Sequence, residues 1–155
     1  MIEATPIEQD VVRTFDLLGG KATISTPVRN SMEAHDLLMT GLPVLALLHL
    51  IERIDLPSAE SGFEKAIGIS LRTLQRRRKD AATNLSVEQG NRTWKFAEIL
   101  GRATEVFGSK EEAEAWMTRP AIGLDQRKPL DLMATTAGVE AVEDYLTRIE
   151  FGVYT

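Results

Sequence analysis

Gly68-Ile69-Ser70-Leu71-Arg72-Thr73-Leu74-Gln75-Arg76-Arg77-Arg78-Lys79 reads as the turn and second helix of a helix-turn-helix. Gly68 supplies the left-handed backbone that a tight inter-helix turn needs, and Ser70 is placed to cap the next helix by accepting an orphan amide from its first turn. Ile69 and Leu74 point to the core. Arg72, Gln75, Arg76 and Lys79 follow at spacings of three, one and three, so they share a helix face that Leu74 does not. Arg and Gln forks pair with base edges and Lys neutralises phosphate, so this face suits a nucleic-acid groove. With Ser70, Thr73 and Arg78 beside them, these are the candidate DNA contacts. The competing reading is a solvated helix end whose cations complement the C-terminal carbonyls. The Gly-Ile-Ser turn in front favours DNA.

Outward from this stretch the chain reads as helices. Upstream, Ser61 to Ile67 forms the first helix of the motif, with Phe63 and Ile67 inward. Before it, Pro43 sits as the first residue of a helix whose Val44, Leu45, Leu47, Leu48 and Ile51 are apolar nearly all round, which places it centrally in the core. A helix from Ser31 carries Met32, Leu37 and Leu38 and stops at Gly41. Further back, Ile7, Val11, Phe15 and Leu18 recur at near-helical spacing up to Gly19-Gly20, and Lys21 to Pro27 is a connection.

Downstream, Ser86 and Gln89 stand in capping-box positions ahead of a long helix through Trp94, Ala97, Leu100 and Ala103 to Phe107, closed by Gly108. Ser109 and Glu112 form a second capping box, opening a short helix that Pro120 ends. Ala121 to Lys128 is a loop and Pro129 to Met133 a helical turn. Val139 to Phe151 is a last amphipathic helix with Val142, Leu146 and Ile149 on one face, stopped by Gly152. No stretch reads as a strand, so the expected fold is all-α. It divides into residues 1–30 (a helix and connection), 31–85 (the helix-turn-helix domain) and 86–155 (a small helical domain).

Net charge is −5, so the molecule as a whole lacks the field of a generic nucleic-acid binder. The positive charge is concentrated instead: five of the 18 Lys and Arg residues lie between Arg72 and Lys79, whereas Ser86 to Thr155 holds 12 acidic against 8 basic residues. The two ends therefore suit different partners. The absence of cysteine excludes disulfides, thiolate catalysis and Cys-type zinc sites, and fits a reducing cytoplasm. The first residues lack the pattern of a signal peptide, and the longest apolar run, Leu42 to Ile51, is too short to span a bilayer, so no membrane partner is expected. His35 and His49 stand in no ligand spacing, no phosphate-binding or nucleophile motif occurs, and no nucleophile, base and orienting group can be assembled. Neither catalysis, a metal nor a cofactor is expected. Trp94 and Trp116 fall in helical apolar patterns and read as core, not as a base-stacking platform.

Several motifs of the second half, in order, carry a resemblance. They are Ala97-x-x-Leu100, Ala103-x-x-Val106-Phe107-Gly108, Glu112-Ala113-x-x-Trp116-Met117-x-x-Pro120, Pro129-Leu-Asp-Leu-Met133, Gly138-Val-Glu-Ala-Val142 and Leu146-x-Arg148-Ile149-Glu150-x-Gly152-x-Tyr154. From about Glu88 to Tyr154 the chain resembles the toxin-binding domain of Xre/MbcA/ParS-type antitoxins, and residues 40 to 85 resemble the Xre-like helix-turn-helix that precedes it. The resemblance implies an antitoxin that neutralises a cognate RES-domain toxin, an NAD-depleting enzyme, represses its own operon at operator DNA and forms a homodimer. It further implies that Gly152, Val153, Tyr154 and Thr155 approach the toxin's pocket, with Arg148 and Glu150 as flanking contacts. Two positions depart from the common helix-turn-helix pattern: Glu64, where a small residue usually precedes the turn glycine by four, and Arg77, where an apolar residue usually follows Leu74 by three. Either the recognition helix packs at an altered angle or the region is a weaker reader of sequence, and in the extreme the two departures would suit a scaffold that has lost DNA binding. The alternative function is a stand-alone transcriptional regulator whose C-terminal domain serves dimerisation or sensing.

Overall fold

Local signals set most helix ends in the computed structural model, which describes residues 3–56, 61–80 and 82–152. Helix α1 (Pro6–Leu17) starts where Thr5 accepts from the Glu8 amide and Pro6 takes the first turn. Gly19, at φ 104°, turns the chain into a short 3₁₀ segment (Gly20–Ala22). Helix α2 (Ser31–Thr40) is capped by Asn30 and ended by Gly41, and α3 spans Val44–Glu52. The motif helices are α4 (Ser61–Ile67) and α5 (Leu71–Arg77), the latter running into a 3₁₀ turn over Arg78–Asp80. Helix α6 (Val87–Phe107) has both hydrogen bonds of the Ser86/Gln89 capping box and ends at left-handed Gly108. Helix α7 (Lys110–Met117) follows, then 3₁₀ turns at Ile122–Leu124 and Pro129–Leu132, then α8 (Thr136–Glu150). Among the described residues the only β pairing is two isolated bridges, so the fold is all-α, a helix-turn-helix domain followed by a C-terminal helical domain.

The hub is α6 rather than α3. Its 21 residues bury Phe96, Ala97, Ile99, Leu100 and Ala103 completely, and α1, α2, α4, α7 and α8 all pack on it. Helix α3 does bury Val44, Ala46, Leu47, Leu48 and Leu50, but Leu45 is partly exposed on the face that no other element covers among the described residues. The buried apolar side chains form one cluster from Val11 to Leu146. Phe63 of α4 meets Phe96 of α6 edge to face at 5.1 Å, a junction between the motif and the hub. On the far side, the turn Pro129–Leu132 packs against α4, with Leu130 buried over Gly62.

Four details differ from the sequence reading. Pro43 is the cap of α3 and not its first residue: it is extended (ψ 141°) because it faces Asn84 in an antiparallel bridge. Met32 and Ile7 lie on the solvent side of their helices, 74% and 64% exposed. Ser109 accepts from the Glu112 amide, but the reciprocal half of that capping box is not formed. Helix α8 begins three residues early, since Thr135 accepts from the Gly138 amide and extends the first turn.

Gly138 sits hard against the turn that precedes α8. A Cβ there would land well inside contact distance of the Leu132 carbonyl oxygen, a backbone atom. Alanine is the better helix former by about 1 kcal/mol, yet overpacking of this kind typically costs about 1–3 kcal/mol. Gly138→Ala should therefore lower the urea midpoint of unfolding. A raised midpoint would show that the turn before α8 yields easily.

Candidate nucleic-acid and partner surfaces

The turn of the motif forms as its residues dictate. Gly68 has φ 77°, and its amide donates to the Glu64 carbonyl at 2.9 Å. Ser70 Oγ accepts from the Thr73 amide at 3.1 Å and caps α5. Ile69 and Leu74 are buried. The turn is suspended from α6: Gln89 Nε2 donates to the Gly68 carbonyl at 3.3 Å, and Arg92 Nη1 to the Lys65 carbonyl at 3.0 Å. Any side chain at position 68 would be both backbone-strained and pressed on Arg92, which is why glycine stands there.

The predicted DNA face sorts into four groups. Arg72, Gln75, Arg76, Arg78 and Lys79 are all exposed, and Arg72 and Lys79 have no ion-pair partner among the described residues. Arg76 leans on its own helix through Nη2 to Thr73 Oγ1 at 3.3 Å, an exposed bond that a ligand displaces at little cost. Arg78 is tied down, with Nη1 3.0 Å from Glu52 and Nε 3.3 Å from Gln75 Oε1. Ser70 and Thr73 are occupied with each other, Ser70 Oγ donating to Thr73 Oγ1 at 2.8 Å.

Both departures from the usual pattern have a structural role. Glu64 does not push α5 away: its Oε2 accepts from the Leu71 amide at 2.6 Å, satisfying an orphan donor of the recognition helix. Arg77 folds back so that Nη2 donates to the Asn84 carbonyl at 2.7 Å and to Thr83 Oγ1 at 3.2 Å. Spacing alone could not have separated Arg77 from its neighbours in the basic run.

In the C-terminal domain Trp116 is buried, 5.4 Å from the Phe107 ring and stacked on Tyr145 at 6.4 Å. Trp94 is buried too, so both tryptophans belong to the core. Tyr145 lies directly over Gly123, where a side chain would collide with it. Helix α8 is fixed to α6 by charge. Burial pulls the Lys95 pKa down, but Glu98 at 2.8 Å and Glu143 at 3.3 Å outweigh it, and the net direction is upward.

The predicted partner contacts are only partly brought together. Arg148 pairs with Asp144 at 3.0 Å, one turn back, and Glu150 lies 3.6 Å from Arg102, whose Nη2 also donates to Thr147 Oγ1 at 3.0 Å. Both are thus held on the surface of α8. Gly152 has φ 71°, and a Cβ added there would meet nothing within 4 Å among the described residues. Val153, Tyr154 and Thr155 lie outside the described residues. Two side chains that the sequence reading left out stand on this domain: Phe151, 74% exposed, and Ile122, 78% exposed. The signal for Phe151 was present in its position off the Val142, Leu146, Ile149 face; for Ile122, inside a loop, none was.

Among the described residues no three His, Cys, Asp or Glu side chains converge to hold a metal ion, and no helix is long and apolar enough to cross a membrane. His49 is half-buried, and burial, reinforced by Arg53 and opposed by Glu52, lowers its pKa.

Comparison with known proteins adds to this geometry. Residues 33–98 match the antitoxin Xre-like helix-turn-helix domain, and residues 102–152 match the antitoxin Xre/MbcA/ParS C-terminal toxin-binding domain. The chain is similar to an antitoxin Xre of Yersinia enterocolitica, 34% identical over 116 residues that cover 74% of this chain and 75% of that one. It is also similar to the antitoxin Xre of Photorhabdus laumondii, 26% identical over 84% of this chain and 87% of the other, and to that of Pseudomonas putida, 28% identical over 79% and 74%. Two adjoining domain matches in the same order as the two surfaces, with relatives aligned across both, show that this chain belongs to the Xre family of antitoxins.

Proposed function

We propose that this chain is the antitoxin of a type II toxin-antitoxin pair. In this reading it acts in the cytoplasm as a homodimer, inhibits a RES-domain, NAD-depleting toxin through residues 86–155 and represses its own operon through residues 31–85. The observation that carries it is one continuous core presenting two unlike surfaces: a short helix with exposed Arg72 and Arg76 running into a turn with exposed Lys79, and a C-terminal domain with exposed Ile122 and Phe151. The first suits phosphate and base edges. The second suits a partner that buries aromatic and aliphatic anchors. Arg148 and Glu150, already paired, fit the rim of such an interface, where exposed charges contribute little affinity. Two recognition helices in a dimer would read half-sites about one duplex turn apart.

Co-expression with the neighbouring gene product tests the reading. A stable complex and rescue of growth from that product support it. A chain that binds its upstream DNA but no neighbouring product is a stand-alone regulator instead. Within the complex, deleting residues 152–155 should leave folding and DNA binding intact while weakening neutralisation, and full growth rescue by the truncated chain would remove the tail from the interface. Phe151→Ser should also weaken capture, by about 1–3 kcal/mol if it is an interface anchor; unchanged affinity in calorimetry would move the contact surface elsewhere.

A further inference from the structure

Helix α5 has seven residues, far below the length at which a helix holds itself together in water. Its order must come from what grips it. Leu74 anchors the buried side, and Ser70 satisfies the Thr73 amide. Beyond these, Glu64 of α4 takes the Leu71 amide at 2.6 Å, and Arg77 fastens the last turn to Asn84 and Thr83. The segment that receives Arg77 is itself fixed. Val44 donates its amide to the Thr83 carbonyl at 3.0 Å, Leu85 donates to the Leu42 carbonyl at 2.8 Å, and the Asn84 side chain fills the space over Gly41. Hydrogen bonds to a carboxylate or from a guanidinium are about twice as strong as neutral ones.

We infer that Glu64 and Arg77 are positioning residues for DNA recognition: they clamp the two ends of α5, so that Arg72 and Arg76 are presented on a preset rod and Lys79 on the 3₁₀ turn that follows it. Arg77 is therefore the member of the basic run that touches no phosphate. Without the clamp the helix frays, the binding-competent fraction falls, and apparent affinity falls with it. This rests on the DNA-binding reading above.

The test uses the full chain and its upstream DNA, titrated across salt concentrations. Loss of a helix-end partner changes an equilibrium about two- to thirtyfold, and affinity follows the competent fraction, so Arg77→Ala should weaken binding by up to that factor with an unchanged salt slope. Arg76→Ala, in contrast, should reduce the slope by roughly 0.9, the counterions of one phosphate. Glu64→Ala should bind more weakly than Glu64→Gln; both remove the charge, but only glutamine keeps an acceptor for the Leu71 amide. An Arg77→Ala slope that drops like that of Arg76→Ala overturns the inference, as do equal affinities of the two Glu64 variants. Amide exchange on the DNA-free protein tests the clamp separately: Glu64→Ala should speed exchange in α5 about tenfold over Glu64→Gln, with α6 unaffected. Equal exchange rates sink the clamp. No DNA binding by the unaltered chain sinks the DNA reading instead, while exchange still decides whether α5 is clamped.

Discussion

Alanine at Arg72, Arg76 and Lys79 together is expected to remove operator binding at physiological salt while leaving the melting temperature nearly unchanged. All three side chains are exposed, and none makes an ion pair among the described residues, so the folded state loses little. The bound state loses much: contacts of this kind are worth about 1–3 kcal/mol each, which places the triple variant at least a hundredfold weaker. The shape of the loss is as informative as its size. If all three contact phosphates, the salt slope falls by about three times 0.9; a smaller fall with relaxed sequence preference would mean that an arginine reads a base edge. Arg78→Ala makes the internal comparison. Its pairing with Glu52 must be broken before it can reach DNA, so it should cost less than Arg72→Ala. A triple variant that retains full affinity would show that α5 is not the recognition helix.

Phe96→Ala is expected to be the most damaging single substitution in the core. Phe96 is fully buried at the middle of α6, and its ring meets the equally buried Phe63 edge to face. Truncation of a buried phenylalanine costs about 3–5 kcal/mol, a large share of the roughly 5–15 kcal/mol that holds a domain folded. Because the Phe63 and Phe96 rings join the helix-turn-helix to the hub, DNA binding and the packing of the hub should be lost over the same range of urea concentration. Urea unfolding followed by tryptophan fluorescence and by DNA binding measures this. Two separated transitions would show that the halves unfold independently despite their shared core.

How much of this was legible in the residues alone depends on the range of the interaction involved. Capping and glycine stops act within four residues, so the starts of α5 and α6, the left-handed turn at Gly68 and the end at Gly108 could be read directly. The inward faces of α4, α6 and α8 follow from helical periodicity, and so does the burial of both tryptophans. Periodicity reports which face is apolar but not what covers it. Only packing decided that α6 rather than α3 is the hub, that Met32 and Ile7 face solvent, and that the turn at Pro129–Leu132 closes over α4. The same limit applies to charge. Arg76, Arg77 and Arg78 are identical letters in a row, and their separate fates come from a loop carbonyl at Asn84 and a carboxylate at Glu52, 7 and 26 residues away along the chain. The sequence by itself determined the helices, the motif and the family likeness, because those are written in short-range spacing; the tertiary structure alone decided which cations remain available to a ligand, because a charge is spent or spared by neighbours that the fold brings to it.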